Sequence, residues 1–251
     1  MTSTGSAELR DVYEEQYNAG SAEGIRYGQW RALCAQGKAD HVVQLARLLA
    51  ESPRLVAEVG CGDGGVLSAL AARGLGERRH GFEISERAVQ LAAGRPEIER
   101  VQRFDGATLP ASDGAYDLGV LSHVLEHVPD PVPLLAETAR ACRAVVVEVP
   151  LEDNRSASRP AAQRGREAIG HLHRFSRADV HRLTCGAGLQ VIGELADPLP
   201  LRVHRFWPGG PAARMKASGK AALRRALFTV APAAAERAFT VHYAALLVPR
   251  P

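Results

Sequence analysis

The sequence predicts an α/β domain built on a doubly wound, mostly parallel sheet. Short apolar runs typical of buried strands alternate with helical patterns along most of the chain, and a glycine-rich segment directly follows the first of these runs. The length of 251 residues, of which 46% are hydrophobic and 24% charged, suits one large domain with a single buried core. We therefore expect one domain over residues 1–251.

The predicted elements follow from apolar spacing and from turn residues. We expect either one amphipathic helix between residues 29 and 50 or two helices separated near Gly37. Strands are predicted at 55–60, 80–84, 100–104, 116–122, 144–150, 189–195 and 239–248, and helices at 66–74, 85–94, 130–142 and 176–186. Ser176 and Asp179 have the spacing of a capping box at the start of the last of these helices. We expect a loop over 151–175 and a proline-rich insert over 197–237.

Composition excludes several classes of protein. A formal charge of +3 is too small to indicate a nucleic-acid binder, and basic and aromatic residues do not interleave as a stacking surface requires. The four cysteines show no CxxC spacing, so neither a disulfide framework nor a structural zinc site is expected. The start of the chain lacks the pattern of a secretion signal, and no apolar run approaches the roughly 18–20 residues that span a bilayer. We expect a cytoplasmic protein that acts on neither nucleic acid nor membrane.

The strongest signal is the segment EVGCGDGG at 58–65, between a predicted strand and a predicted helix. Glycines let a backbone turn tightly and approach a ligand, and the helix N-terminus behind them attracts negative charge. Glu83 ends the next predicted strand, where a carboxylate can accept both hydroxyls of a ribose. The spacing G-x-G-x-G differs from the dinucleotide fingerprint, although Gly65 leaves a loose match open. A plain strand–helix junction is the structural alternative.

These segments together resemble the class I S-adenosylmethionine-dependent methyltransferases, in particular the small-molecule group called type 11 or 12. The resemblance covers about residues 50–195 and rests on EVGCGDGG, GFEIS, FDGATLP, LSHVLEHVPDP and HRFSRADVHRLTCGAGLQV, in that order. The family's proline–glycine–glycine turn before strand five is absent here, which weakens the match at the subfamily level. The resemblance implies a Rossmann-like seven-stranded sheet with an antiparallel last strand. It also implies an N-terminal helical lid over 1–50, and an acceptor-site cap at 197–237.

The resemblance implies S-adenosylmethionine as cofactor and assigns roles to matching residues. Glu58 supports the glycine loop and is implied to reach the methionine amino group through a water molecule. Glu83 binds the ribose, and Ile84 packs on the adenine. The implied cofactor contacts are Tyr17, Glu58, Gly60, Cys61, Gly62, Gly64, Glu83, Ile84, Asp105, Gly106, Ser122 and His123. Asp105 precedes a glycine, so a turn-forming role is the alternative to adenine recognition.

His127 and His123 are the candidate general bases. A base is useful only where the acceptor nitrogen or oxygen must lose a proton, and a neutral imidazole can take it near pH 7. If the segment SHVLEHV turns helically, the two imidazoles lie on one face at i,i+4. The structural alternative is that His127 only hydrogen-bonds the loop.

A second polar cluster, His171, His173 and Arg174, is the candidate acceptor contact. An H-x-H pattern on an extended segment places both imidazoles on one side. A metal would need further ligands such as Glu152 or Asp153, and no recognised spacing supplies them, so no metal site is expected. A structural hydrogen-bonding role remains open for all three.

Two further features bear on the acceptor site. Tyr13, Tyr17, Tyr27 and Trp30 lie close together near the N-terminus, as expected of a lid, although Trp30 could equally pack on the sheet. Residues 198–235 hold seven Lys or Arg and no Asp or Glu. Such a segment could attract a phosphorylated or acidic acceptor, but a charge run is more often a solvated face.

The function that these patterns favour is S-adenosylmethionine-dependent methylation of a small molecule at nitrogen or oxygen. A secondary metabolite or a sugar-like compound is the expected acceptor, and the chain could form a homo-oligomer. One alternative is a nicotinamide-dependent oxidoreductase, and another is a methyltransferase that acts on a protein or nucleic acid. A module that holds the cofactor without catalysis is a third.

Overall fold

The computed structural model describes Tyr17, Gly20 and residues 22–250, so Tyr13 lies outside the described residues. The helices are α1 (Ala22–Ala46), α2 (Gly65–Ala71), α3 (Glu86–Ala93), α4 (Pro131–Ala141), α5 (Pro160–Ala168), α6 (Arg177–Gly186), α7 (Leu201–His204), α8 (Pro211–Val230) and α9 (Pro232–Ala238). The strands are β1 (Leu55–Val59), β2 (Arg78–Glu83), β3 (Arg100–Arg103), β4 (Leu118–Ser122), β5 (Val145–Leu151), β6 (Leu189–Asp197) and β7 (Val241–Pro249).

The seven strands form one sheet in the order β3-β2-β1-β4-β5-β7-β6. Strands β1 to β5 pair in parallel, and β7 runs antiparallel to both of its neighbours, β5 and β6. The seven-stranded sheet with an antiparallel last strand is therefore confirmed. Strand β1 pairs with β2 on one side and β4 on the other, so the strand order reverses there. A crevice outside the carboxyl ends of the strands forms at such a point.

The central strands are buried on both faces because helices cover the sheet from both sides. In β5, Val145 and Val147 belong to one apolar cluster, whereas Val146 belongs to the cluster on the opposite face. Successive side chains of a strand point to opposite faces, which explains why this strand is a continuous apolar run. Each fully buried valine contributes about 1.5–3 kcal/mol relative to an exposed one.

Helix starts follow the local sequence closely. The hydroxyl of Ser176 accepts a hydrogen bond from the Asp179 amide, and the Asp179 carboxylate accepts one from the Ser176 amide, so the predicted capping box is confirmed. Ser85 caps α3, and Asp130 caps α4, in which Pro131 occupies the first turn. Proline fits there because the first amides of a helix have no intrahelical acceptor.

Three segments are more helical than their glycine and proline content suggested. Helix α1 is continuous through Gly37 and ends at Ala46, because burial of residues such as Ala39 and Val42 outweighs the glycine penalty of about 1 kcal/mol. The expected loop at 151–175 contains α5, and the insert at 197–237 is largely helical. Prolines begin α5, α8 and α9 at the first turn, where they are tolerated, instead of interrupting helices. Across the described ranges, no helix has the length and apolar character needed to cross a membrane.

Candidate active site

A cavity of about 880 Å³ opens at the carboxyl ends of β1, β2 and β4. It is bounded by the glycine loop on one side, by α1 above, and by the loops after β4 and β5. This volume lies in the usual range for small-molecule sites, and the location is the expected one for this sheet topology.

The glycine loop approaches the cavity so closely that side chains are excluded at two positions. Gly60 has φ +73° and a Cβ there would lie 2.5 Å from Val124 Cγ2. Gly62 has φ +54° and a Cβ there would lie 2.5 Å from the Tyr17 hydroxyl. Gly64 does not line the cavity: a Cβ there would meet Ile98, so this glycine permits helix packing. The cofactor contact expected of Gly64 stays a prediction.

Cys61 borders the cavity but directs its thiol away from it. Its Sγ lies against Gly81 of β2, where a Cβ would come within 2.6 Å of the sulfur. Burial and the nearby carboxylates of Glu58 and Glu83 raise the pKa of the Cys61 thiol well above its usual value. The thiol therefore stays protonated, and it is a packing group.

Glu83 is held in place by three backbone amides. Its Oε2 accepts a hydrogen bond from Gly62 N at 2.8 Å, and its Oε1 accepts from Ile84 N at 2.7 Å and Ser85 N at 3.1 Å. The carboxylate is buried yet lines the cavity, beside Ile84. Hydrogen bonds from amides stabilise the ionised carboxylate and set its orientation toward a ligand.

Glu58 and Ser122 present buried polar atoms to the same cavity. Glu58 Oε2 and Ser122 Oγ have no hydrogen-bond partner among the described residues. Burial raises the pKa of Glu58 well above its usual value, while the charge of Lys38 opposes this shift. A buried carboxylate oxygen without a donor is unfavourable alone and fits an ammonium group of a ligand.

Asp105 and Gly106 lie at the rim of the cavity. Asp105 Oδ1 accepts hydrogen bonds from Ala107 N at 2.8 Å and Thr108 N at 2.7 Å, which lower the pKa of this carboxyl. Asp105 is exposed, and Gly106 has φ +87°. The turn-forming role is thus observed, and Asp105 also lines the cavity.

Helix α1 covers the glycine loop, as expected of the N-terminal segment. The Arg31 guanidinium lies 3.0 Å from Asp63 and 4.5 Å above the centre of the Tyr17 ring. Tyr17, Tyr27 and Trp30 all line the cavity. Burial raises the pKa of Tyr17 well above its usual value, so its hydroxyl remains protonated.

The segment 197–237 does not line the cavity directly, and its expected role as an acceptor-site cap stays a prediction. Its Phe206 and Trp207 pack against Trp30 of α1, with ring centroids 5.4 and 5.7 Å apart. The segment therefore supports the helix that covers the site. Its basic residues Lys216 and Lys220 are exposed on α8, as expected of a solvated face.

His123 has a left-handed backbone with φ +59°, so the expected helical i,i+4 pairing with His127 is wrong. Its Nδ1 lies 3.1 Å from Glu126 Oε1, and its Nε2 lies 3.4 Å from Glu148 Oε1 and 3.2 Å from His242 Nδ1. Burial and Lys38 lower the pKa of His123, but the two carboxylates outweigh them and raise it. A histidine whose charged form is stabilised by two carboxylates is a poorer general base than a neutral one.

His127 lies in a short 3₁₀ turn, Leu125–His127, and lines the cavity. Its Nδ1 lies 3.1 Å from the Gly170 carbonyl oxygen, the hydrogen bond foreseen as the structural alternative. Its ring contacts that of His171, with centroids 4.7 Å apart at 85°. Burial and the positive charges of nearby histidines lower the pKa of His127 to about 4, so the imidazole is neutral at pH 7.

Only His171 of the predicted acceptor cluster lines the cavity. The His173 ring stacks on Phe175, and its Nε2 bonds to the Val128 carbonyl at 2.8 Å. Arg174 donates to the Glu152 carbonyl and to the Ser158 hydroxyl. Local hydrogen bonds turn both side chains away from the cavity, and the acceptor contacts expected of His173 and Arg174 stay predictions.

The sequence analysis missed several residues of the site. Glu126 and Glu148 are fully buried, and Glu148 accepts hydrogen bonds from His41 and His242 at 3.3 and 3.1 Å. Lys38 of α1 also lines the cavity. A carboxylate inside the apolar run AVVVEVP is a signal that could have identified Glu148, because buried charges need partners. Lys38 and His242 gave no such local signal.

Comparisons with known proteins agree with this geometry. Residues 29–194 match the family model Methyltransf_23, described as a methyltransferase domain, which covers more than half of the chain. The chain belongs to the class I S-adenosylmethionine-dependent methyltransferases.

Relatives of this methyltransferase include enzymes named for different acceptors. The ubiquinone biosynthesis O-methyltransferase of Thiobacillus denitrificans is 36% identical over 92 residues, which cover 34% of this chain and 38% of that protein. The ajmaline N-methyltransferase of Rauvolfia serpentina is 24% identical over 226 residues, 80% of this chain and 77% of that protein. Alignments with three curated relatives span only 35%, 38% and 30% of those proteins.

A solved structure shares the fold of this methyltransferase. Phosphoethanolamine N-methyltransferase 2 of Haemonchus contortus, in complex with S-adenosyl-L-methionine, superposes with a TM-score of 0.62 at 9% identity. The match covers 95% of this chain and 60% of that chain. The cofactor of the family is S-adenosylmethionine, and the cavity fits it: Glu83 suits a ribose diol, and the unpartnered oxygen of Glu58 suits an ammonium.

Proposed function

We propose that the chain transfers a methyl group from S-adenosylmethionine to an oxygen or nitrogen of a small molecule. One observation carries the proposal: a single cavity contains both Glu83, held by three amides, and the imidazoles of His127 and His171. A nucleoside bound at Glu83 and an acceptor held by the imidazoles would share one enclosed space. Alignment of methyl donor and acceptor with exclusion of water is the main contribution of such an enzyme.

The lining around the imidazole pair supports a largely apolar acceptor. Val128, Pro129, Leu134, Pro150, Ile169 and Leu172 line this part of the cavity. A sugar would need polar partners around its ring, whereas this wall offers few. We propose a compound with an apolar body and one hydroxyl or amine that faces His127 and His171. A cytoplasmic location stays a prediction.

The cofactor supplies an activated methyl group on a sulfonium, and the residues of this chain orient the reactants. Glu83 holds the ribose, Glu58 the methionine ammonium, and α1 covers the cofactor through Tyr17. His127 is the imidazole that activates the acceptor, because it is neutral at pH 7, whereas two carboxylates favour the charged form of His123. His123 is a positioning residue that connects the buried carboxylates of Glu126 and Glu148.

Ligand-induced thermal stabilisation tests the cofactor assignment. S-adenosylhomocysteine should raise the unfolding temperature of the full chain, because a ligand bound only to the folded state stabilises it. NAD should not. Stabilisation by NAD alone would contradict the assignment and favour an oxidoreductase. Transfer of labelled methyl groups from the cofactor to a polymer fraction, and none to small molecules, would contradict the proposed acceptor class.

The His127→Ala variant tests the acceptor-activating role. We expect a large loss of turnover with S-adenosylhomocysteine affinity within about twofold of wild type. His173→Ala, which alters an imidazole outside the cavity, serves as the matched control and should retain more activity. Equal losses of turnover and cofactor affinity in His127→Ala would make this residue structural.

A further inference from the structure

Three side chains beside the acceptor end of the cavity form a group with the chemistry of a metal site. One ligand atom each from Glu126, His127 and His171 can be chosen so that all three lie within 4.8 Å of one another. Ligands about 2.0–2.2 Å from one ion lie up to about 4.4 Å apart. Small side-chain rotations would therefore bring the three atoms into coordination distance.

The hydrogen bonds of the two imidazoles set the tautomers that a metal requires. His127 Nδ1 lies 3.1 Å from the Gly170 carbonyl, and His171 Nδ1 lies 2.8 Å from Glu152 Oε2. A carbonyl and a carboxylate only accept, so each Nδ1 carries the proton and each Nε2 carries the lone pair. A carboxylate or carbonyl behind each imidazole is the usual outer arrangement of a histidine metal ligand.

Glu126 gives a second, independent indication of a cation. Its side chain is fully buried, and neither carboxylate oxygen forms a hydrogen bond of good geometry with a described residue, although Oε1 lies 3.1 Å from His123 Nδ1. A carboxyl group this deeply buried is unfavourable without hydrogen-bond partners, and a bound cation would stabilise it.

Backbone hydrogen bonds hold the two ligand segments together. The amides of Leu172 and His173 both donate to the Glu126 carbonyl, at 2.8 and 3.2 Å. The turn that carries Glu126 and His127 is thereby joined to the segment that carries His171. A site whose ligands are positioned before the ion arrives loses less conformational entropy on binding.

We propose that Glu126, His127 and His171 bind one divalent first-row cation of the Zn²⁺ or Co²⁺ type. Two imidazoles and one carboxylate suit these ions and leave coordination positions open on the cavity side. No metal site was expected from the sequence, because the ligands come from two separate segments of the chain. The fold brings these segments together, and the proposed site replaces that expectation.

This inference rests on the proposed function and makes the acceptor a hydroxyl compound. The acceptor oxygen would occupy an open position, where the cation lowers its pKa and its proton leaves to water. The oxygen lone pair then forms the bond to the methyl carbon, and the electron pair of the sulfur–methyl bond remains on sulfur. His127 would thus activate the acceptor as a ligand of the cation.

Cation binding by the tag-free full chain, without cofactor or acceptor, tests the inference. After dialysis against a chelator, titration with Zn²⁺ in a calorimeter should show one ion per chain. Co²⁺ should give the visible absorption of a site with nitrogen ligands. His171→Ala should abolish saturable binding, and Glu152→Gln should weaken it about 10–100-fold, the usual effect of removing an outer partner. The control His173→Ala should bind as wild type does.

Two outcomes would overturn the proposal. One is the absence of saturable Zn²⁺ binding to the wild-type chain, and the other is equal Zn²⁺ affinity in wild type and in folded His171→Ala. Circular dichroism and S-adenosylhomocysteine affinity establish whether His171→Ala is folded. Glu126→Gln is the second variant for the same cation titration, because glutamine has nearly the same shape as glutamate. Normal S-adenosylhomocysteine binding with no cation binding would refute the metal site alone. Absence of S-adenosylhomocysteine binding to the wild-type chain would instead refute the proposed function.

Discussion

Glu83 provides the sharpest test of the cofactor site. The Glu83→Ala variant removes the carboxylate that accepts hydrogen bonds from Gly62, Ile84 and Ser85 amides at 2.8, 2.7 and 3.1 Å. A buried donor that loses its acceptor costs about 1–3 kcal/mol. In the variant this cost affects stability through the three amides and cofactor binding through the ribose hydroxyls. We therefore expect the affinity for S-adenosylhomocysteine to fall by about 1–3 kcal/mol, or about 5–150-fold.

Isothermal titration calorimetry with S-adenosylhomocysteine measures this loss directly. A stability loss of about 1–3 kcal/mol should accompany it and lower the unfolding temperature by about 2–12 °C for a chain of this size. Glu86→Gln is the matched control, since Glu86 lies exposed at the start of α3, three residues after Glu83. If folded Glu83→Ala bound S-adenosylhomocysteine as tightly as Glu86→Gln does, Glu83 would not contact the cofactor.

Three further predictions concern the buried network and the glycine loop. Glu148→Gln should lower the free energy of unfolding by about 3 kcal/mol, the lower end of the range for a broken buried ion pair. The lower end applies because the histidine partners of Glu148 can release their protons. A change below about 0.5 kcal/mol in urea unfolding would contradict this. Burial opposes the charge of His41, but hydrogen bonds to two carboxylates raise its pKa to about 9, so stability should fall as pH rises from about 6.5 to 9. His41→Gln should flatten that part of the urea-unfolding profile, and an unchanged profile would exclude His41 as its origin. Gly62→Ala should weaken S-adenosylhomocysteine binding, because the new Cβ meets the Tyr17 hydroxyl. The control Gly219→Ala, which has open space at its Cβ, should bind S-adenosylhomocysteine normally. Equal affinities of the two variants would show that the glycine loop tolerates a side chain.

The parts of the fold that local sequence controls were predicted well. The capping box at Ser176 was predicted correctly because a cap forms between residues three apart. Strand β5 was equally clear, because burial on both faces requires an apolar run. Helix α1, by contrast, runs through Gly37 because its contacts with the sheet outweigh a local preference.

The position of the glycine loop and of Glu83 could also be predicted from the sequence. Gly60, Gly62 and Glu83 lie within one strand–turn–helix unit and its neighbouring strand, so their positions at the cavity follow from short-range constraints. Gly64 packs towards Ile98, and spacing alone cannot tell a ligand contact from a helix-packing contact. A positive φ is shared by both kinds of glycine.

The sequence by itself determined that this chain would form a parallel sheet with a nucleotide-binding glycine loop, since both depend on patterns within a few tens of residues. Only the tertiary structure decided which polar residues face the acceptor. It joined Glu126, His127 and His171 from segments more than 40 residues apart, and it turned His173 outward. Long-range packing sets these directions, because each side chain points where neighbouring segments leave space and hydrogen-bond partners.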